Sequence, residues 1–371
     1  MVLLFVDDLV VAAPTRELVA WIWGKLHNEF EMRDLGPLTS FLGLEIETNC
    51  NQDTLHLSQK RYIENILLQH WLEYSNPALT PADAHVRLEK SNPEFEAIPE
   101  NKRNNQSAVG SLMYAMLDSS PDISYAIAKV SQYSTNPDIT HFTALKRIFR
   151  YLAGSPNGAL CYGIHWLGSS ITDADWGSSK DRRSIGGYTL LLNRAAICWN
   201  SKKQATVALS SGEGEYMTLT QALKESLWLE SILQDLGARK HMEEIHNINI
   251  DIQGALPVAQ NPQFHSRTKH LDIPYPFVPE NVENKSLTLI YCPTGEMTAD
   301  TFTKALPQPA LVKHNIGLVM INHWAFVLQD TTSLTTREHT ESHQSHIRPK
   351  QSPGEGWYCE SPEPTLPWLQ E

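Results

Sequence analysis

The chain has 371 residues, enough for two or three modest domains, and no apolar stretch of membrane-spanning length. Its formal net charge of −12 excludes a DNA binder held only by phosphate neutralisation, but not a nuclease, because metal-binding carboxylates add negative charge. Five scattered cysteines exclude a disulfide framework or zinc site, and an N-terminus without a signal peptide's flank predicts an intracellular protein, cytoplasmic or nuclear and not secreted.

Residues 2–13 of the opening MVLLFVDDLVVAAPTRELV read as strand, turn, strand, with Asp7 and Asp8 at the turn. Paired carboxylates at a hairpin tip are a metal-binding pattern. Thr15 suits the cap of a helix in which Val19, Ile22, Leu26 and Phe30 recur at helical spacing. Asp34-Leu35-Gly36-Pro37 breaks it. FLGLEIE, residues 41–47, reads as a strand, and residues 57–72 as a helix. Residues 76–105 are polar and dotted with proline, which predicts a linker or irregular loop. In HFTALKRIFRYLAG, Phe142, Leu145, Phe149 and Leu152 form one helical face and Gly154 ends it. Lys146, Arg147 and Arg150 lie off that face, as solvated surface or as phosphate contacts.

From about residue 160 the texture turns to strands: GALCYGIHW, SSITDADW, SIGGYTLLLN and AAICWNSKK. The strongest helix follows over about 211–236, with a Ser210/Glu213 capping box and a Leu219, Leu223, Leu227 stripe. INIDI and SLTLIYCP read as strands, and EMTADTFTKAL begins a last helix. Beyond about 325 the chain is polar and rich in Ser, Thr and His, so a disordered tail is expected. Three antiparallel strands, a helix and a parallel strand predict an α/β fold with a mixed sheet flanked by helices. That order is the ribonuclease H architecture.

Four acids sit at matching element ends in this layout. Asp173 ends the ITD strand, Glu215 lies in the first turns of the long helix, Asp251 ends INID and Asp300 opens the last helix. Strand ends and helix starts meet at one edge of such a sheet. Converging there, four carboxylates would hold two Mg²⁺, with Mn²⁺ as a substitute, for phosphodiester hydrolysis. Singly, each acid reads as a surface charge. His265 and His270 are five apart and fall on different helix faces, which argues against zinc.

ITDADWGSSKDRRSIGGYTLLLNRAAICWNSKKQATVALSSGEGEYMTLTQALKESLWL resembles the ribonuclease H domain of copia-type LTR retrotransposon polyproteins, and NPQFHSRTKHLDI and MTADTFTKALP resemble its later landmarks. The resemblance implies a ribonuclease H-like domain over about 165–310, with Asp173, Glu215, Asp251 and Asp300 as catalytic, metal-binding acids. It implies an RNA–DNA hybrid as substrate, with Arg267 and Lys269 as candidate phosphate contacts or plain loop residues, and Arg182, Arg183, Lys202 and Lys203 as steering charges or solvated surface. LLFVDDLVVAAPTRE and the segment after it are similar to the reverse transcriptase palm of the same polyproteins. Residues 1–75 are then a truncated palm remnant in which Asp7 and Asp8 form an incomplete polymerase site, and residues 76–164 a helical connection. Polymerisation is expected to be lost and the missing polymerase portion is a possible partner. No membrane is expected as a partner. The alternative is an inactive remnant, at most a nucleic-acid-binding fragment.

This copy departs from the pattern after the third acid. Pro257 falls inside an expected helix, and Pro274, Pro276 and Pro279 interrupt another. Each proline inside a helix costs roughly 3 kcal/mol, and the residue before it is pushed out of the helical region. Residues 272–280 are therefore expected to be non-helical. Replacing the three prolines by Arg, His and Arg should raise the melting temperature and any hybrid-cleavage rate. Calorimetry and a cleavage assay that both read unchanged would show the prolines to be tolerated.

Overall fold

The computed structural model describes residues 1–49, 54–163, 168–175, 183–193, 195–208, 211–238, 247–251, 278, 281, 283–284 and 287–321, with 168–175, 211 and 321 described by backbone alone. The expectations for Ser210, Pro257, the three later prolines, His265, His270 and the tail beyond 321 lie outside these residues.

Strands β1 (Val2–Phe5) and β2 (Asp8–Val11) form the expected hairpin, with Phe5 opposite Asp8. Helix α1 (Arg16–Glu29) follows, and the Thr15 hydroxyl accepts from the Leu18 N–H at 3.3 Å. None of its residues is buried, and Val2 to Val6 are also exposed. Val19, Ile22 and Leu26 of the α1 apolar stripe are half-buried, and Phe30 past its end is exposed.

A second sheet, antiparallel throughout, runs in the order β12-β6-β5-β4-β3. Its strands are β3 (Ser40–Phe41), β4 (Leu44–Asn49), β5 (Thr54–Ser58), β6 (Ala159–Gly163) and β12 (Met320–Ile321). Two expectations are corrected here. The single strand over 41–47 is split by a turn at Leu42 and Gly43, both in the left-handed region at φ 50° and 81°. The helix expected over 57–72 is α2 (Lys60–Gln69), because TLHLS alternates with period two and pairs with β6. β6 itself leaves the strand series expected after residue 160 and joins this sheet.

A helical layer packs beside it: α2, α3 (Pro99–Asp118), α4 (Ser124–Ser131) and α5 (Ile139–Ala153). The irregular segment expected over 76–105 ends at Ile98, where Pro99 supplies the fixed φ that suits a first helical turn. Ile66, Leu112, Ile127, Ile148 and Phe149 meet in the largest core cluster. Arg147 donates to the Thr80 carbonyl at 3.0 Å and Asp83 Oδ2 at 3.2 Å, and Arg150 donates to the Asn76 carbonyl at 2.6 Å. Both arginines fasten the irregular segment to α5.

The third sheet runs β11-β10-β7-β8-β9. Its strands are β7 (Gly168–Asp175), β8 (Ile185–Leu192), β9 (Ala195–Lys203), β10 (Asn247–Ile250) and β11 (Thr288–Tyr291). β7, β8 and β9 are antiparallel neighbours, whereas β10 runs parallel to both β7 and β11. Long helix α6 (Ser211–Asp235) packs its Ala222, Leu229 and Leu233 on Tyr188, Leu190 and Leu192 of β8. The last expected helix is two: α7 (Asp300–Thr303) stops at an extended Lys304, and α8 (Gln308–Gly317) starts after Pro307. α8 and β12 carry regular structure past residue 310.

The sheets and the helical layer share polar ties. The Tyr162 hydroxyl donates to the Ala196 carbonyl at 2.6 Å, and Trp199 Nε1 donates to the Met116 carbonyl at 2.9 Å. The deepest tie is a buried triad. Asp122 Oδ2 accepts from the Tyr151 hydroxyl at 2.5 Å and from the Asn315 amide at 3.2 Å. Burial pushes Asp122 from 3.8 up to about 6, although both hydrogen bonds pull it down. The folded state therefore keeps this proton where the unfolded chain has lost it, and stability falls as pH rises from about 4 through 6. At roughly 1.4 kcal/mol per pKa unit, charging Asp122 costs on the order of 3 kcal/mol. Asp122→Asn keeps an acceptor and removes the charge. Urea unfolding at pH 4.5 and 7 should show the wild type losing about 2 kcal/mol relative to the variant over that interval; an equal difference at both pH values would contradict this assignment.

Candidate functional site

Side chains alternate between the faces of a strand, so adjacent Gly186 and Gly187 of β8 face opposite layers. A Cβ on Gly186 would collide with Thr218 Oγ1 of α6. One on Gly187 would stand 2.5 Å from the Phe302 Cβ of α7. α6 and α7 therefore clasp opposite faces of the same strand, each at glycine distance. The Ser201 hydroxyl of β9 also donates to the Phe302 carbonyl at 2.6 Å, which fixes α7 from below.

Register then places the acids. Asp173 pairs with Gly187, so its position lies on the α7 face. β10 pairs Ile248 with Ser170 and Asn249 with Ile171; two residues further, Asp251 comes level with Asp173 on the neighbouring parallel strand. Ile248 and Ile250 pack against Tyr216, Leu219 and Leu223 of α6, which leaves Asp251 on the α7 face by alternation. Asp300 opens α7 and is buried. Glu215, also buried, shares the sheet-facing stripe of α6 with Thr218 and Ala222, one turn nearer the helix start. All four positions thus lie at one end of the sheet, three on one face and Glu215 across it. Among the described residues, no three His, Cys, Asp or Glu side chains stand together at metal-ligating distance.

The local field is negative. Burial, then the charges of Glu296, Asp251 and Asp300, push the Cys292 thiol up. The Thr294 hydroxyl donates to Asp251 Oδ2 at 3.3 Å. Lys304 Nζ lies 2.7 Å from Asp300 Oδ1. Sequence reading passed over Lys304, though its spacing of four from Asp300 is the signature of a helical ion pair. It also gave no weight to the glycine pair. By donor chemistry alone these four carboxylates are the type of group a hard divalent cation would take, and an ammonium stands against one of them.

The expected cationic residues are dispersed. Arg183 and Lys202 are exposed beside β8 and near the end of β9. Lys203 donates to Gln132 Oε1 at 3.2 Å, so part of its role is to hold β9 to the helical layer. Arg182, Arg267 and Lys269 lie outside the described residues. Asp7 and Asp8 are exposed on the hairpin of the separate two-stranded sheet.

The fold is mixed α/β with several small sheets, and residues 1–84 match the reverse transcriptase (RNA-dependent DNA polymerase) family. The chain is 38% identical over 327 residues to the retrovirus-related Pol polyprotein from transposon TNT 1-94 of Nicotiana tabacum, covering 86% of this chain and 24% of that protein. It is 35% identical over 315 residues to the corresponding polyprotein from transposon RE1 of Arabidopsis thaliana, covering 83% and 21%. The putative transposon Ty5-1 protein of Saccharomyces cerevisiae is 32% identical over 228 residues, covering 60% of this chain and 72% of that protein. The chain belongs to the family of Pol polyproteins of copia-type retrotransposons. It spans less than a quarter of the two transposon polyproteins, at 24% and 21% of their length. No solved structure matches it. Among the described residues no helix is long and apolar enough to cross a membrane.

Gly187→Ala should push α7 off the sheet and shift Asp300. Overpacking of this kind costs typically ~1–3 kcal/mol, so the melting temperature should fall by several degrees. Gly110→Ala, in the open on α3, serves as control. An unchanged melting temperature in Gly187→Ala would show that α7 is not held at glycine distance.

Proposed function

We propose that residues from about 165 to 310 form a ribonuclease H-like domain that cleaves the RNA strand of an RNA–DNA hybrid. The observation that carries this reading is the register of β7, β8 and β10, in which Asp251 comes level with Asp173 on the face that α7 covers. The strand order, with a parallel pair beside an antiparallel trio, supports the same fold.

In this reading Asp173, Glu215, Asp251 and Asp300 would hold two Mg²⁺, or Mn²⁺ in their place, and bound ions would supply water activation and charge stabilisation for phosphodiester hydrolysis. The chain's own part is to hold the carboxylates: Thr294 orients Asp251, and Ser201 holds the strand-facing turn of α7. Arg182, Arg183, Lys202, Lys203, Arg267 and Lys269 are the proposed contacts to hybrid phosphates, and the A-like minor groove with its 2′-hydroxyls is what would select the hybrid. Residues 1–75 are read as part of a reverse transcriptase palm, with Asp7 and Asp8 among its metal-binding carboxylates, and a polymerase portion of a Pol polyprotein is the proposed protein partner.

A second reading, a silent remnant that binds nucleic acid without cleaving it, is favoured by one observation: Glu215, Asp251 and Asp300 do not by themselves stand at ligating distance. A labelled RNA–DNA hybrid separates the two. With Mg²⁺ or Mn²⁺ the wild type should cleave the RNA strand, and Asp173→Asn and Asp300→Asn should each lose at least about 100-fold. Hybrid binding without cleavage by the wild type would establish the second reading.

A further inference from the structure

The Asp300–Lys304 pair is unlike an ordinary surface ion pair. The anion side chain is 10% exposed and the cation side chain 35%. A buried carboxylate is costly unless something pairs with it. Lys304 Nζ meets that need at 2.7 Å, from a position pinned by its own N–H to the Asp300 carbonyl at 3.0 Å. Lys304 also lines a small cavity with Tyr125, Leu306 and Leu311. At 35% exposed, its side chain is open enough for the ammonium to leave Asp300.

We propose that Lys304 is a positioning residue that stands in for the metal: its ammonium holds the Asp300 carboxylate in the metal-free protein and a divalent cation must displace it to bind. This rests on the reading of Asp300 as a metal ligand. No bond is made or broken; one cation exchanges for another on the same oxygen. Two consequences follow from Coulomb's law. The ammonium holds the Asp300 carboxylate in place before metal arrives, and it weakens metal affinity by competition and by repulsion at close range. The site thus fills only at a divalent cation concentration high enough to win that exchange.

The test is titration with Mg²⁺ alone by calorimetry, and with Mn²⁺ by electron paramagnetic resonance, on the full chain. Lys304→Met keeps the stem and removes the charge; it should tighten binding by roughly tenfold. Lys304→Arg should stay near the wild type, and Asp300→Asn in the Lys304→Met background should abolish the gain. A merely structural role would change melting temperature and leave metal affinity where it was. Unchanged affinity in Lys304→Met, with Asp300→Asn still weakening the wild type, would overturn this proposal alone. Affinity insensitive to Asp300→Asn would overturn the site reading and this proposal together. A second measurement needs no variant: Mg²⁺ should speed acetylation of Lys304 in the wild type, followed by mass spectrometry, and an unchanged rate would contradict displacement.

Discussion

The spacing between layers around the candidate site depends on two side chains that are absent. Gly186 and Gly187 let α6 and α7 approach opposite faces of one strand, closer than any Cβ would allow. Glycine in a strand loses backbone entropy, at roughly 0.5–1 kcal/mol each. Fully buried Phe302, at 0% exposure, offsets this with about 2–3 kcal/mol of apolar burial. The clasp fixes the heights of Glu215 and Asp300 above and below the sheet. Without it the strand register would still align Asp173 with Asp251, but the helix-borne acids would stand off.

The same region joins the sheet to the rest of the chain. Phe302 belongs to a cluster that includes Leu160 of β6, Ala196 of β9, Leu318 just past α8 and Met320 of β12. Asn315 of α8 completes the buried Asp122–Tyr151 network of the helical layer. Leu311 of α8 sits in the helical core. A cut at residue 310 would therefore expose apolar surface in two clusters and leave Asp122 one hydrogen bond short. The connection layer supports the candidate catalytic sheet through packing, not through a tether. By contrast, β1, β2 and α1 bury almost nothing.

Much of the fold is legible in the sequence where periodicity is strong and local. The hairpin around Asp7, helix α1 with its Thr15 cap, α5 with its apolar face, and the run β7 to β10 all follow from pattern alone. What the pattern cannot supply is partnership. The helix expected over 57–72 took in the last two residues of β5, Leu57 and Ser58, because TLHLS is short and one of its two partners, β6, lies a hundred residues on. β6 reads like its successors yet pairs elsewhere. α7 ends at four residues because Phe302 is held against Gly187 and because Pro307 bars continuation, a tertiary and a local cause acting together. For the site, element ends carried the acids, and a resemblance supplied their roles. Lys304 was visible as a spacing but not as a partner, since spacing does not tell which carboxylate is buried. Arg147 and Arg150, read as solvated or phosphate-facing, proved to be structural ties.

The central claim is that the four acids at one end of the sheet act as one metal site. Crystals grown with Mn²⁺ and measured at its absorption edge test this without any assay of activity. The account predicts two anomalous peaks between Asp173, Glu215, Asp251 and Asp300, with the Lys304 ammonium moved off Asp300. Saturating Mn²⁺ with no peak at that end of the sheet would contradict it; peaks with Lys304 still seated on Asp300 would contradict only the exchange at Lys304.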